Sequence, residues 1–146
     1  MILVGCGKSK LLRRAPAREL YTGSLFRAAR DYAEASGEPW AIVSAKYGLL
    51  EPPEVVAPYE HKLARSERHA WAATVGREFD ARYEERKVTL LMGAEYAEPL
   101  ALELSWRGVS VQQPLAGLML GERLSWFKAQ REKREGTWTK KKQTKR

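Results

Sequence analysis

The chain has 146 residues, the size of one domain, and 44% of them are hydrophobic, enough for an ordinary core. Its single cysteine, Cys6, excludes an internal disulfide framework, and no stretch approaches the roughly 18 apolar residues that a membrane helix needs. The net charge of +8 is uneven: seven Lys/Arg against one acid in residues 1–30, ten against fifteen in 31–127, and nine against two in 128–146. Basic ends around an acidic middle suit a polyanionic partner, most simply nucleic acid.

In chain order, Met1–Gly5 is a short apolar run that predicts a first buried strand. It is too short for a signal-peptide core, which with the missing membrane span points to a soluble, cytoplasmic protein. The loop Cys6-Gly7-Lys8-Ser9-Lys10 follows. Near Tyr21-Thr22-Gly23-Ser24 a helix begins, capped by Thr22 or Ser24 and closed by Gly37 and Pro39. Trp40–Ser44 is a second strand. Ser44 to Tyr59, with Gly48 and prolines at 52, 53 and 58, reads as a stiff loop rather than a helix or strand. A long helix from Ser66 to about Glu85 carries Trp71, Val75, Phe79 and Tyr83 on one face. Residues 88–92 predict a third strand, and Ala94–Trp106 a helix interrupted early by Pro99. Residues 109–111 predict a short fourth strand, and 117–134 a last helix with Leu118, Leu124 and Phe127 inward. Residues 135–146 hold little that can be buried and predict a basic, disordered or mobile tail after a single domain of residues 1–134. The order βαβαβαβα implies a mostly parallel four-stranded sheet with helices on both faces.

In such a sheet, ligands bind beyond the carboxyl ends of the strands. That rule gathers four loops: Cys6 to Lys10, Ser44 to Tyr59, Gly93 to Glu95, and Gln112 to Gly117. Gly7-Lys8-Ser9 falls short of the phosphate-binding loop, which needs a glycine where Ile2 stands. It also fails the dinucleotide pattern, because Lys10 occupies the third glycine's place. Backbone N–H groups, two ammonium groups and a hydroxyl remain, enough to hold a phosphate or sugar-phosphate. Cys6 suits a small buried hydrophobe better than a nucleophile primed by Lys8 and Lys10. His61 and His69 lack cysteine partners at ligand spacing, so no zinc site is expected, and both read as solvated helix residues. Lys46 suits a phosphate clamp, and Tyr47 or Tyr59 a base-stacking platform. Glu51 and Glu54 are the nearest carboxylates for activating water, with Glu54 the better placed.

Three runs carry a resemblance: Leu20-Tyr21-Thr22-Gly23, Tyr47-Gly48-Leu49-Leu50-Glu51-Pro52, and Val56-Ala57-Pro58-Tyr59-Glu60-His61-Lys62-Leu63. Together they resemble the YaaA peroxide-stress family. The match is closer still to short bacterial and phage domains of unknown function. Those begin like Val4-Gly5-Cys6-Gly7-Lys8-Ser9-Lys10 and end like Pro114-Leu115-Ala116-Gly117 with Gly121-Glu122-Arg123-Leu124. The likeness covers about residues 1–127. It implies a DNA-binding protein of oxidative stress, and a three-layer α/β/α core similar to uracil-DNA glycosylases and to base-exchange enzymes on 7-deazaguanine. The chain is much shorter than YaaA, and it lacks the glycosylases' Gly-Gln-Asp-Pro-Tyr water-activating loop.

The expected function is a nucleic-acid-acting YaaA-like domain, with cleavage or exchange of an N-glycosidic bond as its candidate hydrolase chemistry. Two rivals are a non-catalytic DNA-binding stress module and an enzyme on a free nucleotide or nucleoside. Candidate catalytic residues are Glu54, Lys46 and Tyr59. Candidate substrate contacts are Cys6, Gly7, Lys8, Ser9, Lys10, Tyr21, Thr22, Gly23, Ser44, Tyr47, Gly48, Gly93, Pro114 and Gly117. Lys140, Lys141, Lys142, Lys145 and Arg146 are candidate nucleic-acid contacts of the tail. DNA is favoured over RNA as partner, and no cofactor, metal or membrane is expected.

Overall fold

A computed structural model of the chain describes residues 1–144. In order, its elements are β1 (Ile2–Gly5), β2 (Ala15–Pro16), α1 (Ala17–Leu20), α2 (Ser24–Ser36), β3 (Trp40–Ser44), β4 (Gly48–Leu50) and β5 (Val55–Val56). A turn of 3₁₀ helix (Arg65–Glu67) leads into α3 (Arg68–Arg82), followed by β6 (Lys87–Leu91), α4 (Ala94–Trp106), β7 (Ser110–Gln112) and α5 (Leu120–Thr144).

The protein is α/β, with a mostly parallel sheet between helices. The main sheet has the order β4-β3-β1-β6-β7, in which β3, β1, β6 and β7 are parallel and β4 runs antiparallel to β3. Register places Ile2 beside Trp40 and Thr89, and Val4 beside Ile42 and Leu91. All four predicted strands are present. Successive residues of β1 point to opposite faces. Leu3 joins Trp71, Val75, Phe79, Leu100 and Leu104 under α3 and α4. Ile2 and Val4 join Leu20, Tyr21, Phe26, Ala29 and Phe127 under α1, α2 and α5. The sheet is therefore buried on both sides, as parallel sheets are.

Five differences from the sequence reading have physical causes. First, the main sheet holds five strands rather than four. The supposed stiff loop folds back after Ser44 into β4, because its prolines fall at 52, 53 and 58, outside Gly48–Leu50. Gly48 makes the reversal with φ +71, and the carboxylate of Glu78 leaves no room there for a Cβ. Arg82 of α3 then donates to the carbonyl of Leu49 at 3.1 Å, occupying part of the strand's open edge. Second, Val55–Val56 pairs antiparallel with Ala15–Pro16 in a separate two-stranded ribbon. Third, α2 is entered through Gly23 with no side-chain cap, so neither Thr22 nor Ser24 plays the expected part. Fourth, α4 runs straight through Pro99. Proline gives up only the bond to the Glu95 carbonyl, and burial of Ala97, Leu100, Ala101 and Leu104 holds the helix on the sheet. Fifth, the last helix starts at Leu120, three residues later than expected, and continues to Thr144. Helix-favouring Lys, Arg, Glu and Gln fill residues 128–135, and the backbone carries on through most of the expected irregular tail.

Candidate functional site

The carboxyl ends of the parallel strands meet one edge of the sheet. There the loop after β1, the segment Tyr59–Lys62 and the first turn of α4 surround an open groove of about 1120 Å³. Cys6, Gly7, Lys8, Ser9 and Lys10 form one wall. Tyr59, Glu60, His61 and Lys62 form another, and Ala45, Glu95 and Tyr96 complete it.

The basic wall is held from behind by the Tyr21-Thr22-Gly23 run. The Ser9 carbonyl accepts the Thr22 N–H at 2.9 Å, and the Leu20 carbonyl accepts the Leu11 N–H at 2.8 Å. Lys10 and Tyr21 form an antiparallel bridge between these contacts. Lys10 Nζ folds back to donate to the Lys8 carbonyl at 2.9 Å and lies 4.4 Å from the centre of the Tyr59 ring. Lys46 approaches the same ring from outside the groove: its Nζ is 5.2 Å from the Tyr47 ring centre and 5.8 Å from that of Tyr59. Lys10 and Lys46 thus both lie near the Tyr59 ring, Lys10 on the groove wall with Lys8 and Lys46 outside it.

Below the groove lies a cluster of three hydroxyls. Tyr59 Oη is 2.7 Å from Tyr21 Oη and 2.6 Å from Ser44 Oγ. Ser44 Oγ also accepts the N–H groups of Lys46 at 3.1 Å and Tyr47 at 3.0 Å, which shapes the turn into β4. The Ser44 carbonyl accepts the indole N–H of Trp71 at 3.0 Å, so α3 holds the same residue from the other side. Burial pushes the Tyr21 hydroxyl up to about 12, and burial likewise raises Tyr59. Both stay protonated at physiological pH.

This geometry reassigns several expected roles. Tyr21 is completely buried and Tyr59 is only 8% exposed, so neither ring is a stacking platform. Tyr47 is 37% exposed, packs perpendicular to Tyr59 at 5.1 Å and carries Lys46 Nζ over its ring. Glu54 does not reach the groove: its carboxylate accepts the Glu51 N–H at 3.2 Å, closing the exposed turn that carries Pro52 and Pro53. Glu51 is drawn instead to Tyr83, whose hydroxyl donates to it; burial first, and this bond second, raise Tyr83. Gly48 acts through the backbone at the start of β4, and Gly93 occupies the position before α4. Gly117 belongs with Leu115 and Ala116 to a separate cavity of about 50 Å³ bounded by Met92 and Ala97, and Pro114 precedes it in the same turn. Cys6 is half-buried on the groove wall as a free thiol. Lys140, Lys141 and Lys142 lie on the last turns of α5, whereas Lys145 and Arg146 lie outside the described residues.

Glu60, His61, Lys62 and Tyr96 line the groove without having been singled out for it. His61 is not a helix residue but sits exposed on an irregular segment anchored by buried Tyr59 and Leu63. It belongs to the Val56–Leu63 run on which the expected resemblance rested, which was the available signal. The strand-end rule reached Glu95 and stopped one residue short of Tyr96. Glu95 lies 3.5 Å from the Arg68 guanidinium. Among the described residues, no three His, Cys, Asp or Glu side chains gather as a metal set, and no helix is long and apolar enough to cross a membrane.

The model of one protein family, described as a family of unknown function (DUF6884), matches residues 1–129. The chain belongs to DUF6884. The match takes in every groove residue, all strands and the first turns of α5, so the groove is part of the DUF6884 domain and the basic end of α5 lies beyond it. No curated protein and no solved structure matches the chain.

Proposed function

We propose that this DUF6884 protein acts on nucleic acid and takes a nucleotide into the groove at the strand ends. The observation that carries the reading is the meeting of Lys8-Ser9-Lys10 and Lys62 across a cleft that Glu60, Glu95 and Tyr96 also line and Tyr47 borders. Ammonium groups and open backbone suit a phosphate, and the exposed Tyr47 ring suits a base that is single-stranded or turned out of a duplex. Lys46 stands ready as a second phosphate contact, and the basic residues of α5 supply further, sequence-independent attraction.

The proposal includes a core of the uracil-DNA-glycosylase and YaaA type, DNA ahead of RNA as partner, and a cytoplasmic setting. If the protein cleaves or exchanges an N-glycosidic bond, the carboxylate that serves water is Glu95 or Glu60, which line the groove, and not Glu54. A non-catalytic DNA-binding role and action on a free nucleotide use the same groove and differ in what the assay returns.

The test is binding of a labelled single-stranded oligonucleotide followed by fluorescence anisotropy across a salt series, with Lys10→Ala and Lys62→Ala beside Lys87→Ala as the remote control. The expected result is a steep fall in affinity between about 50 and 200 mM salt, with larger losses for the two groove variants. Salt-independent binding of mononucleotide alone indicates the free-nucleotide activity. Absence of binding by any nucleic acid overturns the proposal. Incubation with oligonucleotides carrying modified bases, with released base measured, separates catalysis from binding.

A further inference from the structure

A second cleft, of about 210 Å³, lies between α2 and α5 and shares no residue with the groove. α2 starts beside the groove's basic wall, and Tyr32 lies eight residues beyond Ser24, about 12 Å along the axis at about 1.5 Å per residue. The cleft is therefore a separate place on the domain. Its base is apolar. Tyr32 and the buried Phe127 line it, their ring centres 5.9 Å apart, and Tyr32 also packs against Trp126 at 5.2 Å. Its rim is charged, with Lys128, Arg131 and Arg134 of α5 and Asp31 of α2.

Lys128, Arg131 and Arg134 follow one another at three-residue spacing, so each is the helix neighbour of the next, and like charges so placed repel. Acids usually offset such a row. Among the described residues, none of the three cations enters an ion pair or donates a hydrogen bond. Glu132, one turn from Lys128, does not pair with it, and residues 136–146 bring no acidic side chain. Asp31, the one acid on the rim, lies 3.1 Å from the Arg30 guanidinium. Three unpaired cations and one engaged acid surround an apolar base, whose low dielectric strengthens the pull on an anion. We infer that the cleft between α2 and α5 binds an oxyanion of the phosphate class, with the Arg131 and Arg134 guanidinium groups and the Lys128 ammonium group as its donors. A guanidinium matches phosphate oxygens with paired N–H groups, and a lysine adds a point charge. The inference does not rest on the proposed role of the groove: the phosphate can be free or can belong to the backbone of a strand.

The test uses the full chain, with arginine labelled at Nε and read by NMR during titration at constant ionic strength. Arg131→Gln and Arg134→Gln assign the two signals. Arg77, exposed on α3 with only a contact to Thr74, is the control within the same spectrum. Inorganic phosphate is the first probe. The expected result is a saturable shift of the Arg131 and Arg134 signals, little change at Arg77, and the same behaviour in Lys10→Ala, which removes a groove cation. The double variant Arg131→Gln/Arg134→Gln is expected to weaken the binding roughly tenfold or more, the loss carried by charge-assisted hydrogen bonds. Its Tm in phosphate-free buffer should not fall, since both side chains are exposed. Short oligothymidylate is the second probe and separates the two sources. A strand that enters the cleft moves the same two signals, competes with phosphate for them and loses affinity in the double variant. A strand that leaves them unmoved while phosphate shifts them assigns the cleft to free phosphate or a small phosphate ester, and the inference stands. Shifts that grow linearly and alike at Arg77, Arg131 and Arg134, unchanged affinity in the double variant, or no response of the two signals to either probe overturn it.

Discussion

Ser44→Ala isolates the residue on which the edge of the sheet and the hydroxyl cluster both depend. The serine is completely buried, and its Oγ takes part in three hydrogen bonds: to the N–H groups of Lys46 and Tyr47 and to the Tyr59 hydroxyl. The two amides belong to an exposed turn, where water partly replaces the lost acceptor, so each loss costs about 0.5–1 kcal/mol. The third loss falls inside the cluster, where no water stands in, and costs about 1 kcal/mol or more. The total is about 2–3 kcal/mol. For a domain of this size, that is a fall in Tm of roughly 4–12 °C. Thr74→Ala is the control: its hydroxyl bonds the Ala70 carbonyl at 3.1 Å on the exposed face of α3, and its loss should stay within about 0.5 kcal/mol. Thermal and urea unfolding of both variants are compared at neutral pH. Equal shifts for Ser44→Ala and Thr74→Ala would mean that the hydroxyl cluster contributes nothing to stability.

Lys46→Ala should leave stability within about 0.5 kcal/mol of wild type, since the side chain is exposed; in the anisotropy assay it should weaken oligonucleotide binding more than Lys87→Ala, and equal effects make Lys46 an ordinary surface charge. Gly48→Ala should destabilise by about 2 kcal/mol or more in urea, because φ +71 is strained for a residue with a Cβ and Glu78 must move; a neutral result would show that β4 re-forms without the left-handed turn. Tyrosine pH dependence has a defined sign. Burial raises Tyr21 to about 12 and also raises Tyr59 and Tyr83, so their protons stay on the folded chain at pH values where the unfolded chain releases them. Stability from these groups is full below the ordinary tyrosine value near 10 and is lost as pH rises past it. Burial raises Tyr96 as well, so absorbance titration should show four of the six tyrosines ionising above the ordinary value, Tyr21 and Tyr59 only with unfolding. Early, reversible ionisation of all six would contradict their burial.

The parallel core was legible because β1, β3 and β6 are apolar runs that stop at Gly5, Ser44 and Gly93, and buried parallel strands carry no alternation to misread. The strand-end rule then found the Cys6–Lys10 wall directly. The second wall was harder. Tyr59 to Lys62 lies neither on a strand nor on a helix, so no periodicity marks it, and His61 looks like any solvated histidine. β4 was hidden because three residues between a lysine–tyrosine turn and a proline pair carry too little pattern to separate a strand from a rigid loop. The misplacement of Glu54 has a simple cause. Proximity in sequence stood in for proximity in space, while the turn at Pro52 and Pro53 carries the carboxylate away.

The guanidinium of Arg82 on the Leu49 carbonyl has a consequence for the protein in solution. A sheet that ends in an open strand offers a template for another chain, and the risk grows with concentration. β4 is only three residues long, is followed at once by Pro52 and Pro53, and has one of its carbonyls already occupied from α3. A neighbouring molecule therefore finds few hydrogen-bonding groups there to add to. At the β4 edge, crowded copies of the chain therefore have little backbone through which their sheets could join.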